Sequence, residues 1–234
     1  MGDELYSPES IALTREAAIA SQSISAGLTS LRKANYAATG LYSHAFFSVT
    51  IGLERLLKII FLLDVAIQTG GAYPTDQDLR TRFGHDIRKL FSFAREIHAR
   101  LPNEGSRFPL NPGGLEDDII EFFSKFAVSS RYYNLNFLTG RINKTQQVDP
   151  IAEWYKKIGS RILMLHYSEA QRQRNIQSAI IIEHMLGSFT AVLHTTEEGS
   201  PLTDVKSASL RTGENKIIQK YGTFYCAKIV RFYI

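Results

Sequence analysis

The sequence predicts a mainly all-α protein: an up-and-down multi-helix bundle with a small β-hairpin near the C-terminus. Three observations carry that class. Long stretches place apolar residues every three to four positions. Helix starts such as Ser7-Pro8-Glu9 and Asp149-Pro150 punctuate those stretches. Segments with strand character appear only after Gly187. With 44% hydrophobic residues in 234, the chain can bury a core that needs no covalent staples. No repeat, low-complexity tract or linker divides it. A single domain over residues 1–234 is therefore expected, with a bundle core at about 8–187, a hairpin at about 188–212 and a last helix at about 214–234.

Taken in order, Ser7 caps the first helix and Pro8 fills its first position; the helix is expected to run to about Ala34. Its Ala and Ser content suits close packing against a neighbour. The second helix is expected over about Tyr36–Gln68, stopped by Gly70-Gly71. From Phe46 to Ile67 it is apolar on nearly every side, interrupted mainly by Glu54, Arg55, Lys58 and Asp64, so it belongs at the centre of the bundle. Glu54 and Lys58 stand four apart and can pair.

Pro74-Thr75-Asp76 restarts the helical pattern, and Leu79, Phe83, Ile87, Leu90, Phe91, Ala94, Ile97 and Leu101 recur at helical spacing. Gly84 predicts a break before Asp86. The Pro- and Gly-rich stretch 102–114 is a loop. A fourth helix carries Leu115, Ile119, Phe122, Phe123, Phe126, Tyr133 and Phe137 on one face and ends at Gly140. Asp149 caps a fifth, which continues through the polar run Ser168–Asn175 to Gly187. Phe189–Thr196 and Leu202–Leu210 form the hairpin about the turn 198–201. The last helix aligns Ile218, Tyr221, Tyr225 and Phe232. Leu57, Ile60, Phe91, Phe123 and Phe126 are expected to share one core.

Charge and cysteine usage exclude several classes. A net charge of +4, with both signs interspersed, permits contact with an anionic surface but is not the basic stripe of a dedicated nucleic-acid binder. The single cysteine, Cys226, excludes an internal disulfide framework and a cysteine zinc site, and suits a reducing compartment. Asp3, Glu4 and Glu9 stand where a secretory signal would carry basic residues. The most apolar run, Leu56–Ile67, contains Lys58 and Asp64 and is too short to span a bilayer. A cytoplasmic protein with no membrane association is expected. The phosphate-binding G-x-x-x-x-G-K-[ST], the zinc-binding H-E-x-x-H, the G-x-S-x-G elbow and G-x-G-x-x-G are all absent. His44, His98, His166, His184 and His194 have no His or carboxylate at ligand spacing, so no metal or other cofactor is expected.

The densest polar cluster is Arg80–Lys89. On an unbroken helix Arg82, His85, Asp86 and Lys89 would share one face. A His flanked by a carboxylate and cations can act as general acid/base while the cations hold phosphate. The competing structural account makes Asp86 the cap of the helix after Gly84, with Arg82 and Lys89 in solvated ion pairs. A second cluster sets Arg131 and Asn134 three apart, able to hold a phosphate or a base edge together. Its structural alternative pairs Arg131 with an acid on a neighbouring helix.

The run Gly52-Leu53-Glu54-Arg55-Leu56-Leu57-Lys58, then Gly84-His85-Asp86-Ile87-Arg88-Lys89-Leu90, then Ser130-Arg131-Tyr132-Tyr133-Asn134 resembles the HEPN superfamily of helical bundles over roughly residues 42–140. The resemblance implies a helical bundle that often dimerises. Many members are metal-independent ribonucleases of toxin–antitoxin, antiviral or stress systems; others are non-catalytic binding modules. Catalytic members carry an Arg followed four to six residues later by a His. Arg131 has no such His, whereas Arg80 with His85 and Arg161 with His166 meet the spacing. Residues five apart on an unbroken helix point about 140° away from each other. A break at Gly84 or a dimer would have to bring Arg80 to His85.

The leading expectation is a defence- or stress-associated endoribonuclease. His85, Arg80 and Asp86 would be catalytic, and Arg82, Arg88, Arg131 and Asn134 would bind the substrate. RNA, a second copy of the chain and an antitoxin or other defence component are the expected partners; the apolar stretch 229–234 needs cover. The alternative is a non-catalytic interaction module binding a protein or nucleic-acid partner.

Overall fold

A computed structural model describes residues 7–100, 109–141 and 148–232, an all-α helical bundle with one small hairpin. Helix α1 (Pro8–Leu31) begins as the sequence dictates, the Ser7 hydroxyl accepting from the Ser10 amide at 3.2 Å. It lies along α2 (Gly40–Thr69), the most extensive helix pairing of the fold. Two glycines make that pairing close. A Cβ on Gly52 would stand 2.9 Å from the backbone nitrogen of Ile24, and one on Gly27 would stand 2.8 Å from that of Val49. Each glycine admits the opposite backbone.

The α2 helix stops at Gly70, whose φ of 72° is left-handed. Next, α3 (Asp76–Arg82) opens with a reciprocal Thr75–Asp78 capping box. Gly84, at φ 54°, turns the chain into α4 (Ile87–Arg100). Helix α5 (Leu115–Lys125) loosens into a π-helical turn, Phe126–Ser130, before α6 (Tyr133–Leu138). Likewise α7 (Pro150–Trp154) passes through a π turn, Tyr155–Gly159, into α8 (Ser160–His166). Then come α9 (Glu169–Leu186), strands β1 (His194–Thr195) and β2 (Pro201–Leu202), and α10 (Val205–Arg231).

One apolar cluster runs from Leu31 to Ile229. Phe46 of α2 sits inside it, its ring 4.8 Å from Phe122, 5.6 Å from Phe126 and 5.3 Å from Trp154. Leu57, Phe91, Phe123 and Phe126 are buried there and Ile60 packs against them, as the periodicity predicts.

Several boundaries differ from expectation. Residues 205–210 are not a strand: the Asp204 side chain accepts from the Ser207 amide at 2.7 Å and starts α10 there, leaving two residues in each strand. The fifth predicted helix is cut at Tyr167, because Ser168 and Gln171 form a capping box that begins α9 afresh. The fourth is interrupted by its π turn and by Tyr132. In the C-terminal stretch Ile229 is already fully covered within the fold, and residues 233–234 lie outside the described residues.

The hairpin is pinned to the bundle by a buried polar cluster. The Glu197 carboxylate, fully buried, accepts from Tyr42 Oη (3.3 Å), Asn215 Nδ2 (2.8 Å) and Arg211 Nε (2.8 Å). Arg211 lies 3.6 Å from the centre of the Tyr155 ring and also meets Glu214. Burial, with Glu197 beside it, pushes the Tyr42 hydroxyl far above its ordinary range. Burial alone would lower the Arg211 pKa, but Glu197, Tyr155 and Glu214 reverse it, so the guanidinium stays charged.

Candidate functional site

The pivot of the site is Glu54, which the apolar circumference of α2 leaves largely enclosed. Its Oε1 accepts from Lys58 Nζ at 2.7 Å, one turn along the same helix, and lies 2.9 Å from His85 Nδ1. Burial alone would raise the Glu54 pKa. Hydrogen bonding and charge from Lys58, with His85 adding to them, outweigh burial and hold it below the ordinary glutamate value. Glu54 is therefore a carboxylate at neutral pH, and an ionised carboxylate only accepts. Nδ1 of His85 must then carry the shared proton. The His85 side chain is 71% exposed. A carboxylate holding one imidazole nitrogen so that the other can take a proton is general-base geometry.

The Gly84 break delivers His85 to that position. With α3 ending at Arg82 and α4 beginning at Ile87, the face that a continuous helix would give to Arg82, His85, Asp86 and Lys89 does not form. Asp86 caps α4, its Oδ1 accepting from the Lys89 amide (3.0 Å) and from Ser124 Oγ (3.2 Å), which ties α4 to α5. Ser124 Oγ in turn accepts from the Arg88 amide.

The predicted cations go separate ways. Arg80 pairs with Asp76 at 2.8 Å on the open surface of α3. Arg82 lies over three phenyl rings, its guanidinium carbon 4.5 Å from the centre of Phe93 and 5.4 Å from that of Phe61. Arg88 meets Glu121 in an exposed pair. Arg131 follows the π turn half-buried, its Nε enclosed without a hydrogen-bond partner among the described residues. The neighbouring Tyr132 ring is 6.5 Å from Phe47, which stands two turns, about 10 Å, before Glu54 along α2. Asn134 is exposed on α6. The fold thus sets His85 and Asp86 side by side and sends Arg80 and Arg82 elsewhere.

The second Arg–His spacing is placed differently. Arg161 pairs with Asp118 of α5. His166 stacks flat on Tyr221, centroids 3.7 Å apart, and its Nε2 is 3.0 Å from Tyr225 Oη. Burial, with Lys220 nearby, lowers the His166 pKa, so its imidazole is neutral at pH 7 and already hydrogen-bonded. Sequence reasoning missed the role of Glu54 toward His85. The i,i+4 rule correctly gave Lys58 as a partner, but a contact across 31 residues has no periodic signature.

Among the described residues, no helix is long and apolar enough to cross a membrane. No group of three or more His, Cys, Asp or Glu among them is arranged to hold a metal ion. No family model, curated protein or solved structure matches this chain.

Proposed function

We propose that this chain is a HEPN-like bundle that cleaves RNA without a metal, with His85 as the acid/base and Glu54 as its positioning residue. The observation that carries this reading is the 2.9 Å contact from His85 Nδ1 to a carboxylate on a side chain that is 71% exposed. In the reaction, Nε2 takes the proton of a ribose 2′-hydroxyl. The 2′-oxygen then bonds to the adjacent phosphorus and the bond to the 5′-oxygen breaks. Solvent or the protonated imidazole reprotonates the leaving oxygen. The products are a 2′,3′-cyclic phosphate and a 5′-hydroxyl, so the step needs no outside oxidant or cofactor.

Arg88 is the nearest cation in sequence able to hold the phosphate. Its exposed pair with Glu121 is worth roughly 0–1 kcal/mol, less than a charge-assisted bond to a phosphate oxygen, so exchanging partners is easy. On this reading the protein works in the cytoplasm as a defence or stress factor, restrained by a partner of the same system.

The second reading is a non-catalytic interaction module. It is favoured by one observation: Arg80, Arg88 and Lys89 each already face a carboxylate. Incubation with a mixed RNA pool, with and without EDTA, separates the two. Cleavage that survives EDTA, vanishes in His85→Ala and falls in Glu54→Gln with a displaced pH–rate profile is expected. Full activity in a folded His85→Ala protein refutes the assignment.

A further inference from the structure

Helix α3 carries two pairs of opposite charges at the same spacing, and the fold treats them differently. Asp76 and Arg80, four residues apart, pair at 2.8 Å. Asp78 and Arg82 are also four apart and both line a cleft beside the helix, yet among the described residues they do not pair with each other. Their neighbours hold them apart. Asp78 Oδ2 accepts from the Thr75 hydroxyl at 2.6 Å and from its amide at 2.9 Å, which leaves Oδ1 without a hydrogen-bond partner among the described residues. Those two bonds keep the Asp78 pKa below the ordinary aspartate value, so the group is a carboxylate. The Arg82 guanidinium carbon rests 4.5 Å from the centre of Phe93, 5.4 Å from that of Phe61 and 5.5 Å from that of Phe83. The rings attract the cation without neutralising it, and no carboxylate among the described residues pairs with it.

The cleft these two charges line measures about 600 Å³ and is walled by Phe61, Val65, Tyr73 and Pro74, with Tyr73 39% exposed. A mostly apolar lining with a few placed polar groups is the make-up of a small-molecule site. The charges select the occupant. A phosphate or nucleic acid drawn to Arg82 would meet the Asp78 carboxylate, and a simple amine drawn to Asp78 would meet the guanidinium. A ligand carrying both charges satisfies both. One helical turn, about 6 Å along the axis, separates the two residues, which suits an ammonium and a carboxylate on a single carbon with a hydrogen bond at each end.

We propose that this cleft binds a free α-amino acid with an aromatic side chain, its ammonium at Asp78, its carboxylate at Arg82 and its ring against Tyr73 and Pro74. The site shares no residue with the Glu54–His85 pair and stands whether or not the protein cleaves RNA.

Isothermal titration of the full chain with L-phenylalanine and L-tryptophan tests it. Saturable one-to-one binding with a Kd below about 1 mM is expected. 2-Phenylethylamine lacks the carboxylate and 3-phenylpropionate lacks the ammonium. Each should bind at least about 10-fold more weakly than phenylalanine, having lost a charge-assisted hydrogen bond. L-Alanine, which keeps both charges and lacks the ring, should weaken by at least about 10-fold as well. Arg82→Gln and Asp78→Asn should each reduce phenylalanine binding to a similar degree, and the ligand analogues cover the case in which either variant fails to fold. Absence of binding by both aromatic amino acids up to about 10 mM overturns the proposal. So does any of the three analogues binding as tightly as phenylalanine, or undiminished binding in both folded variants.

Discussion

Replacing Glu197 by Ala removes the anion on which three buried donors converge. Asn215 Nδ2 and Tyr42 Oη lose their acceptor, each costing about 1–3 kcal/mol when left buried and unpaired. Arg211, nine-tenths buried, keeps Glu214 at 3.3 Å and a longer contact to Glu198 at 3.8 Å. The charge is therefore not orphaned, and the loss lies at about 3–5 kcal/mol, the usual cost of breaking a buried pair. For a domain of this size each kcal/mol moves the melting temperature by about 2–4 °C, so a fall of about 6–20 °C is expected. Urea unfolding followed by far-UV circular dichroism reads the same loss as an earlier midpoint. Glu197→Gln keeps an acceptor for Tyr42 and Arg211 and should cost clearly less. Tyr42→Phe in the Glu197→Ala background should cost little more than Glu197→Ala alone, since the pair acts as a unit. A Glu197→Ala protein within 1 kcal/mol of wild type would mean the cluster is decorative and the hairpin is held by apolar contacts such as Leu202.

Gly52→Ala should destabilise by about 1–3 kcal/mol, because its Cβ meets not only the Ile24 side chain but also the Ile24 and Ala20 backbones, which cannot turn aside. Gly40→Ala, with open space around it, should change the melting temperature little or raise it slightly. The Glu153 carboxylate is held below the ordinary value near 4.5: burial raises its pKa, but Lys125 and Lys157 overcome that. A folded-state pKa below the unfolded one gives stability that is present above about pH 4.5 and lost as pH falls through the folded value. Melting temperature should therefore drop below pH 4.5, and Glu153→Gln should be less stable at pH 7 and show a shallower acid decline.

Local chemistry made most of the helices legible. Ser7, Thr75, Asp149 and Gly70 act within four residues of the boundaries they set, and the apolar period that buries Phe46, Leu57 and Phe126 is a property of single segments. The α10 boundary was misread although its cap was in plain view. The turn at 198–201 invites a returning strand over Leu202–Leu210, and the Asp204–Ser207 cap starts a helix there instead. Of the site, the break at Gly84 and the Glu54–Lys58 pair could be read, since both are short-range. The Glu54–His85 contact and the Glu197–Arg211 cluster could not, because the first exists only once α2 has packed beside the α3–α4 turn and the second only once the hairpin has docked on α10 and α2. The path of Arg82 follows from the same fact, whereas that of Arg80 is set within its own helix. Asp76 lies one turn from Arg80, and Phe61 and Phe93 present their faces to Arg82.

The π turn at Phe126–Ser130 has a bearing on Arg131. Such a turn amounts to one surplus residue spliced into a helix, and every side chain beyond it is rotated by about 100° from where an uninterrupted helix would aim it. Arg131 therefore owes its direction to an apparent insertion upstream. Deleting one residue between Ala127 and Ser129 would leave composition and charge almost unaltered. It would swing the guanidinium about a quarter-turn around the helix axis, with the Phe122–Phe126 packing before it left in register.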